Sequence, residues 1–296
     1  MSEVRRESTH IMQPVTKIKI VETPRDGLQG LETIVSTKKK IEYINLLLQC
    51  GFDTVEVGSF VSAMAIPQMA DTAEVLEKLD FSKTNSRIAV LVANEIGGQQ
   101  AMRFDAIDDL IFPFSVSETF LKKNLNKGFG EGEKILDVLQ NLCVKNGKRL
   151  LPYLTMGFGN PYGDDWSIDL VLEWVRKFEK KGIEVIPLSD IMGDASAEKI
   201  GSVFSVLKKE FPKVEFGLHL HSLHETALKK VDAAYRAGVR RFDTVLGGYG
   251  GCPMTGKELV GNLALESLIT WSESEGVETG LNMEILQKAR TYPLLF

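Results

Sequence analysis

Short runs of apolar and β-branched residues alternate along the chain with longer stretches whose apolar positions recur every three or four residues. The short runs predict strands at 17–23 (KIKIVET), 53–59 (DTVEVGS), 87–93 (RIAVLVA), 108–114 (DDLIFPF), 149–155 (RLLPYLT), 183–189 (IEVIPLS), 215–221 (EFGLHLH) and 241–247 (RFDTVLG). Between them, STKKKIEYINLLLQCG, DWSIDLVLEWVRKFEKKG and SAEKIGSVFSVLKKEFP read as amphipathic helices. Gly51, Gly182 and Gly238 stand where such helices would end, because glycine adopts the left-handed backbone that closes a helix. Near-continuously apolar strands joined by helices predict a parallel sheet covered on its face, and eight such repeats predict an α/β fold of the (β/α)8 TIM-barrel type. A doubly wound open sheet is the alternative. No Pro-, Ser- or Gly-rich linker divides the chain, so residues 17–296 read as a single domain behind a short mobile arm, residues 1–16.

A barrel places its chemistry at the C-terminal ends of the strands. Arg25 and Asp26 follow the first strand, Glu56 lies in the second and Asp190 follows the sixth. His219 and His221 end the seventh, and a glycine-rich loop with Cys252 and then Asn262 follows the eighth. Residues i and i+2 of a strand share a face, so the two imidazoles point together and Leu218 and Leu220 point the other way. Buried ring nitrogens need partners. A divalent cation would satisfy them, and so would hydrogen bonds; these residues alone leave both open. Glu56 lies between Val55 and Val57. Its side chain reads as facing the barrel interior, because an unpaired carboxylate under a helix layer is costly.

Composition narrows the field. A chain of 296 residues, 44% hydrophobic, supports a large core. The net charge of −5 gives nucleic acid no purchase. No apolar run reaches membrane-spanning length, and the first residues lack a secretory apolar region. Cys50, Cys143 and Cys252 do not make a disulfide framework, so a reducing, cytoplasmic setting is expected. Cys50 and Cys143 read as inert core residues, whereas Cys252 sits in a polar, glycine-rich loop. GCPMTGKE at 251–258 mimics a phosphate-binding loop, but Glu258 replaces the hydroxyl that would bind Mg²⁺. GFGNPYG at 157–163 lacks dinucleotide-loop spacing. His224 reads as a loop or helix-start residue, and His10 lies in the arm.

PRDGLQ (24–29), GSFVS with AIPQM (58–69), SETFLKKNLN (117–126), LSDIMG (188–193), HLH (219–221) and GGYGGCP…GN (247–262) occur in that order. Together they resemble 3-hydroxy-3-methylglutaryl-CoA lyases, metal-dependent TIM-barrel enzymes. The resemblance implies a divalent cation, Mg²⁺ or Mn²⁺, held by Asp26, His219, His221 and Asn262. It implies a small-molecule acyl-CoA substrate, cleaved to acetoacetate and acetyl-CoA, and a homodimer. Arg25 would stabilise negative charge developing at the thioester oxygen, and Cys252 would protonate the enolate. Asp190 and Glu56 would assist proton transfer or orient the metal shell. Gln29 and Asn124 are candidate substrate contacts, and Lys122 and Lys123 read either as CoA-phosphate contacts or as a solvated helix end.

The chain departs from that family's pattern at five places. Ser222 replaces an Asp after H-x-H, Ser189 replaces a Gly, and Glu32 stands where a basic residue is expected. The stretch AMAIPQM lacks the usual Pro, Lys and Trp, and the spacing from GCP to Asn262 is one residue longer. The same scaffold also accommodates a transferase condensing an acyl-CoA with a 2-oxo acid, or a non-catalytic acyl-CoA binder.

Overall fold

The structure is a computed structural model and describes residues 16–31, 33–222, 224–251 and 260–294. His10, Glu32 and Cys252 lie outside the described residues, as does the side chain of His224. The strands are β1 (Lys19–Glu22), β2 (Thr54–Ser59), β3 (Arg87–Leu91), β4 (Asp109–Ser115), β5 (Arg149–Thr155), β6 (Val185–Asp190), β7 (Glu215–Leu220) and β8 (Arg241–Thr244). Each pairs in parallel with its sequence neighbour, and β1 also pairs with β8, which closes the barrel. All eight expected strands are present, and the open-sheet alternative is excluded.

The three amphipathic stretches form the helices Thr37–Leu47, Ile168–Lys180 and Ala197–Glu210. Ser36, Ser167 and Ser196 precede them, and each hydroxyl accepts a backbone N–H of the first turn, satisfying a donor the helix leaves open. Along Ile168–Lys180, Val171, Trp174, Val175 and Phe178 are buried, the stripe that a 3.6-residue period lays against a sheet. After that helix Gly182 turns the chain at φ +76, a conformation that costs other residues. Among the described residues no helix is long and apolar enough to cross a membrane.

Strand alternation builds two layers. Val55, Val57, Leu110, Phe112, Leu188, Leu218 and Phe242 belong to the main core shared with the helices. Ala89, Ile111, Leu151, Tyr153 and Val185 pack together as an inner cluster, the filling of the barrel interior. Below it, the first residues of the strands form ion pairs. Arg87 and Arg149 both hold Asp109, at 2.6 and 2.7 Å. Arg241, 1% exposed, pairs with Asp53 at 3.0 Å, and Lys19 with Glu215 at 2.6 Å. The N-terminal mouth of the barrel is thereby plugged, and the open cavity lies at the other end.

Candidate metal centre and active site

The first site element is a six-residue helix, Pro24–Gln29, directly after β1. Proline at its start presets the helical backbone. Arg25 Nε donates to Glu56 Oε1 at 2.7 Å, while Nη1 donates to Asp26 Oδ1 at 2.9 Å and Gln29 Oε1 at 2.8 Å. Glu56 lies where the register of β2 against β3 slips, between Glu56 and Gly58, the kind of bulge that re-aims a side chain. It lines the cavity, as do Arg25, Asp26 and Gln29. Burial pushes the Glu56 carboxyl up to about 6, against the pull of Arg25.

His219 of β7 and His221, one residue past its end, line the same cavity. His219 Nδ1 lies 3.1 Å from Asp243 Oδ2, and His221 Nδ1 lies 3.1 Å from the Val260 carbonyl oxygen. A carbonyl and a carboxylate only accept, so both Nδ1 atoms carry the proton and donate. In the neutral rings both Nε2 atoms are then bare lone pairs, and they face each other at 3.2 Å. Asp26 Oδ2 is 3.8 Å from His219 Nε2, buried, with no hydrogen-bond partner. Ligand atoms of Asp26, His219 and His221 all lie within 4.8 Å of one another.

Three electron-rich atoms turned toward one another repel unless a cation lies among them. The donor set therefore fits a divalent metal, with mixed carboxylate and imidazole ligands suited to Mg²⁺ or Mn²⁺. Titration follows the same geometry. Burial works to raise the Asp26 carboxyl, but Arg25, His219 and His221 hold it below the ordinary range. Burial, and then His219, take His221 down to about 4. Burial opposes a charge on His219 as well, yet Asp243 raises it. A proton on His219 and a metal ion thus compete for one place.

Asn262 is buried beside this centre, its backbone bridged to His221 and its amide Nδ2 donating to the Tyr249 carbonyl at 2.9 Å. Tyr249 belongs to a strap after β8 in which Gly247, Gly248, Gly250 and Gly251 all have positive φ. The strap presses on Asp26. A Cβ at Gly250 would lie 2.5 Å from the Asp26 carbonyl oxygen. Its root is fixed by Glu22, fully buried at the end of β1, which accepts the Leu246 N–H at 2.7 Å and the Thr244 hydroxyl at 2.9 Å. Cys252 follows the strap and lies outside the described residues.

The remaining expected site residues divide. Asn124 lines the cavity, which measures about 220 Å³. Lys122 and Lys123 do not line it: Lys122 pairs with Glu118 at 2.8 Å, and Lys123 Nζ lies 4.4 Å from the Tyr162 ring centre. Asp190 is also outside the lining. Its carboxylate accepts from the backbone of Gly193 and Ala195 and from Lys230 at 3.1 Å. That places it on the helix side of β6, because the inward residue at that level is Ser189. Asp190 braces the loop after β6 rather than facing the cavity. Asp243, Tyr153 and Glu22 belong to the neighbourhood and carry no motif; Ser189, noted above only as a departure from the family's pattern, lines the cavity as well. A carboxylate inside an apolar strand, as in RFDTV, was the available signal for Asp243.

Comparison with known proteins places the chain in a family. The HMGL-like family model matches residues 17–292. Human mitochondrial hydroxymethylglutaryl-CoA lyase is 33% identical over 295 residues, covering 99% of this chain and 90% of that protein. A hydroxymethylglutaryl-CoA lyase of Bacillus subtilis is 33% identical, covering 92% and 91%. The crystal structure of the Bacillus subtilis HMG-CoA lyase superposes with a TM-score of 0.88 at 32% identity, covering 95% and 94% of the chains. An HMG-CoA lyase from Acinetobacter baumannii, solved in complex with coenzyme A and 3-methylmalate, superposes with a TM-score of 0.86 at 31% identity, covering 93% and 89%. With a closed eight-stranded barrel and a carboxylate–imidazole centre at its open mouth, the chain belongs to the HMGL-like family of carbon–carbon lyases.

Proposed function

We propose that this protein cleaves 3-hydroxy-3-methylglutaryl-CoA to acetoacetate and acetyl-CoA with the help of Mg²⁺ or Mn²⁺. The observation that carries the reading is the pair of bare Nε2 atoms at 3.2 Å beside the unpartnered Asp26 Oδ2. When bound by Asp26, His219 and His221, with Asn262 beside them, such a cation supplies Lewis acidity toward the substrate's oxygens.

The chain's own groups account for the rest. Glu56, whose pKa burial raises to about 6, takes the proton of the tertiary hydroxyl as its carboxylate. The C2–C3 bond breaks as that oxygen becomes the ketone of acetoacetate, and the electron pair passes to the thioester fragment. Arg25, held charged by Glu56 and Asp26, stabilises the negative charge on the acetyl-CoA enolate oxygen. Cys252 gives its proton to C2 and regains one as Glu56 is relieved of its own. Asp190 and Lys230 keep the loop after β6 in place. Coenzyme A bound in the Acinetobacter relative supports a coenzyme A thioester as the substrate class.

The test is incubation of the purified chain with 3-hydroxy-3-methylglutaryl-CoA and Mg²⁺ or Mn²⁺, with and without EDTA. Formation of both products, lost on chelation, is the expected result. Metal binding with neither product would overturn the cleavage assignment and favour condensation or plain binding on the same scaffold.

A further inference from the structure

Three adjacent strands set Thr155, Ser189 and His219 in one row around the barrel. Thr155 is the register partner of Ser189, and Ser189 is the partner of His219. All three line the cavity. The Thr155 hydroxyl is committed, donating to the Phe114 carbonyl at 2.8 Å. His219 is committed to Asp243 and to the centre it forms with Asp26 and His221. Ser189 differs from both. Its side chain is fully buried, and its Oγ has no hydrogen-bond partner. A buried hydroxyl without a partner weakens a fold, so one left at a ligand cavity points to a group that arrives with the ligand.

The identity of that group follows from what else faces the cavity. Among the described lining residues Arg25 is the one permanent cation, and Glu56, Asp26 and Gln29 already accept its hydrogen bonds. Coenzyme A is too large for about 220 Å³, so a thioester stays near the mouth and the far end of the acyl chain reaches inward. By the strand register, the inner-cluster residues Ile111 and Tyr153 form an apolar floor beneath the row of Thr155, Ser189 and His219. A carboxylate arriving at that depth needs a donor, and a hydroxyl donating to an anion makes a stronger bond than one donating to a neutral group. We propose that Ser189, standing where the family pattern has Gly, gives this chain an added donor for a dicarboxylic 3-hydroxyacyl thioester, its hydroxyl donating to the substrate's distal carboxylate beside His219.

This inference rests on the cleavage reading, and the experiment separates the two. Ser189→Ala removes the donor without orphaning any partner, so its Tm should equal or exceed that of the wild type. With Mn²⁺ bound, the KM for 3-hydroxy-3-methylglutaryl-CoA should rise by about 10- to 100-fold, the loss expected for a hydrogen bond to a charged group. The inhibition constant of 3-hydroxy-3-methylbutyryl-CoA, in which a methyl group replaces the distal carboxylate arm, should not change. Equal losses on both thioesters, or none on either, would overturn the assignment. If the wild type releases no acetoacetate, the cleavage reading fails on its own. Calorimetric titration of the Mn²⁺-loaded wild type and variant with the same two thioesters then decides the role of Ser189 by the same comparison.

Discussion

Replacing Asp243 by Asn tests the metal centre without touching a ligand. The carboxylate accepts from His219 Nδ1 at 3.1 Å and thereby leaves Nε2 bare toward Asp26 and His221. An Asn can turn its amide to donate to Nδ1, which moves the ring proton to Nε2 and aims an N–H at the cation's place. Partners of this kind are worth about 10- to 100-fold in metal affinity. At Mn²⁺ a hundredfold above the wild-type Kd, binding stabilises the fold by about 2.7 kcal/mol. Weakened tenfold or a hundredfold, the same concentration leaves about 1.4 or 0.4 kcal/mol. For a chain of this length the Mn²⁺-induced rise in Tm should shrink by about 2–4 °C. Titration calorimetry and paired thermal melts with Mn²⁺ or EDTA read both numbers. Mn²⁺ binding in Asp243→Asn as tight as in the wild type would refute the tautomer argument.

Three further outcomes are expected. His219→Ala should abolish metal-dependent acetoacetate formation, a larger loss than the roughly hundredfold ceiling for a supporting residue; full activity in a steady-state assay would refute the ligand assignment. Gly250→Ala places a Cβ 2.5 Å from the Asp26 carbonyl at φ +86, so urea unfolding should show a loss of at least about 1–3 kcal/mol, with kcat lowered as the strap lifts. Burial raises Glu22 to about 8, against the hydrogen bonds from Leu246 and Thr244. Between its ordinary value of 4.5 and that pKa the folded chain holds a proton the unfolded chain has released, so stability falls as pH rises through that window. Melts of Glu22→Gln across the same range should lack this slope; an unchanged slope would mean that another group titrates.

The strands and the inward-facing site residues were legible because period 2 is a strong constraint. It put His219 with His221 and turned Glu56 away from Val55 and Val57. The same rule assigns Asp190 to the helix side once Ser189 is seen to be inward, but the end of β6 alone did not say which of the two faced the cavity. Asp243 escaped notice because its role is to orient another residue, and no motif spacing ties position 243 to position 219. Lys230 was illegible for a like reason: it reads as one more charge on an amphipathic helix until the loop after β6 is in place. The partners of the Pro24–Gln29 helix depend on closure of β1 against β8, which brings Val245 to within 2.6 Å of a Cβ at Gly27.

Among the described residues, the ion pairs at the strand starts make the barrel a vessel with one opening. Asp109 held by Arg87 and Arg149, and Asp53 held by Arg241, stop the far end. Everything that enters or leaves must use the same passage, so arrival and departure fall into sequence. A metal ion held by Asp26, His219 and His221 would have to be seated before the thioester closes the way in. On the proposed cleavage, the short keto acid would lie behind the coenzyme, so acetyl-CoA should depart first and acetoacetate last. Product inhibition should keep that order: acetoacetate competing with the substrate for the metal-loaded form, and acetyl-CoA meeting a protein that still holds acetoacetate.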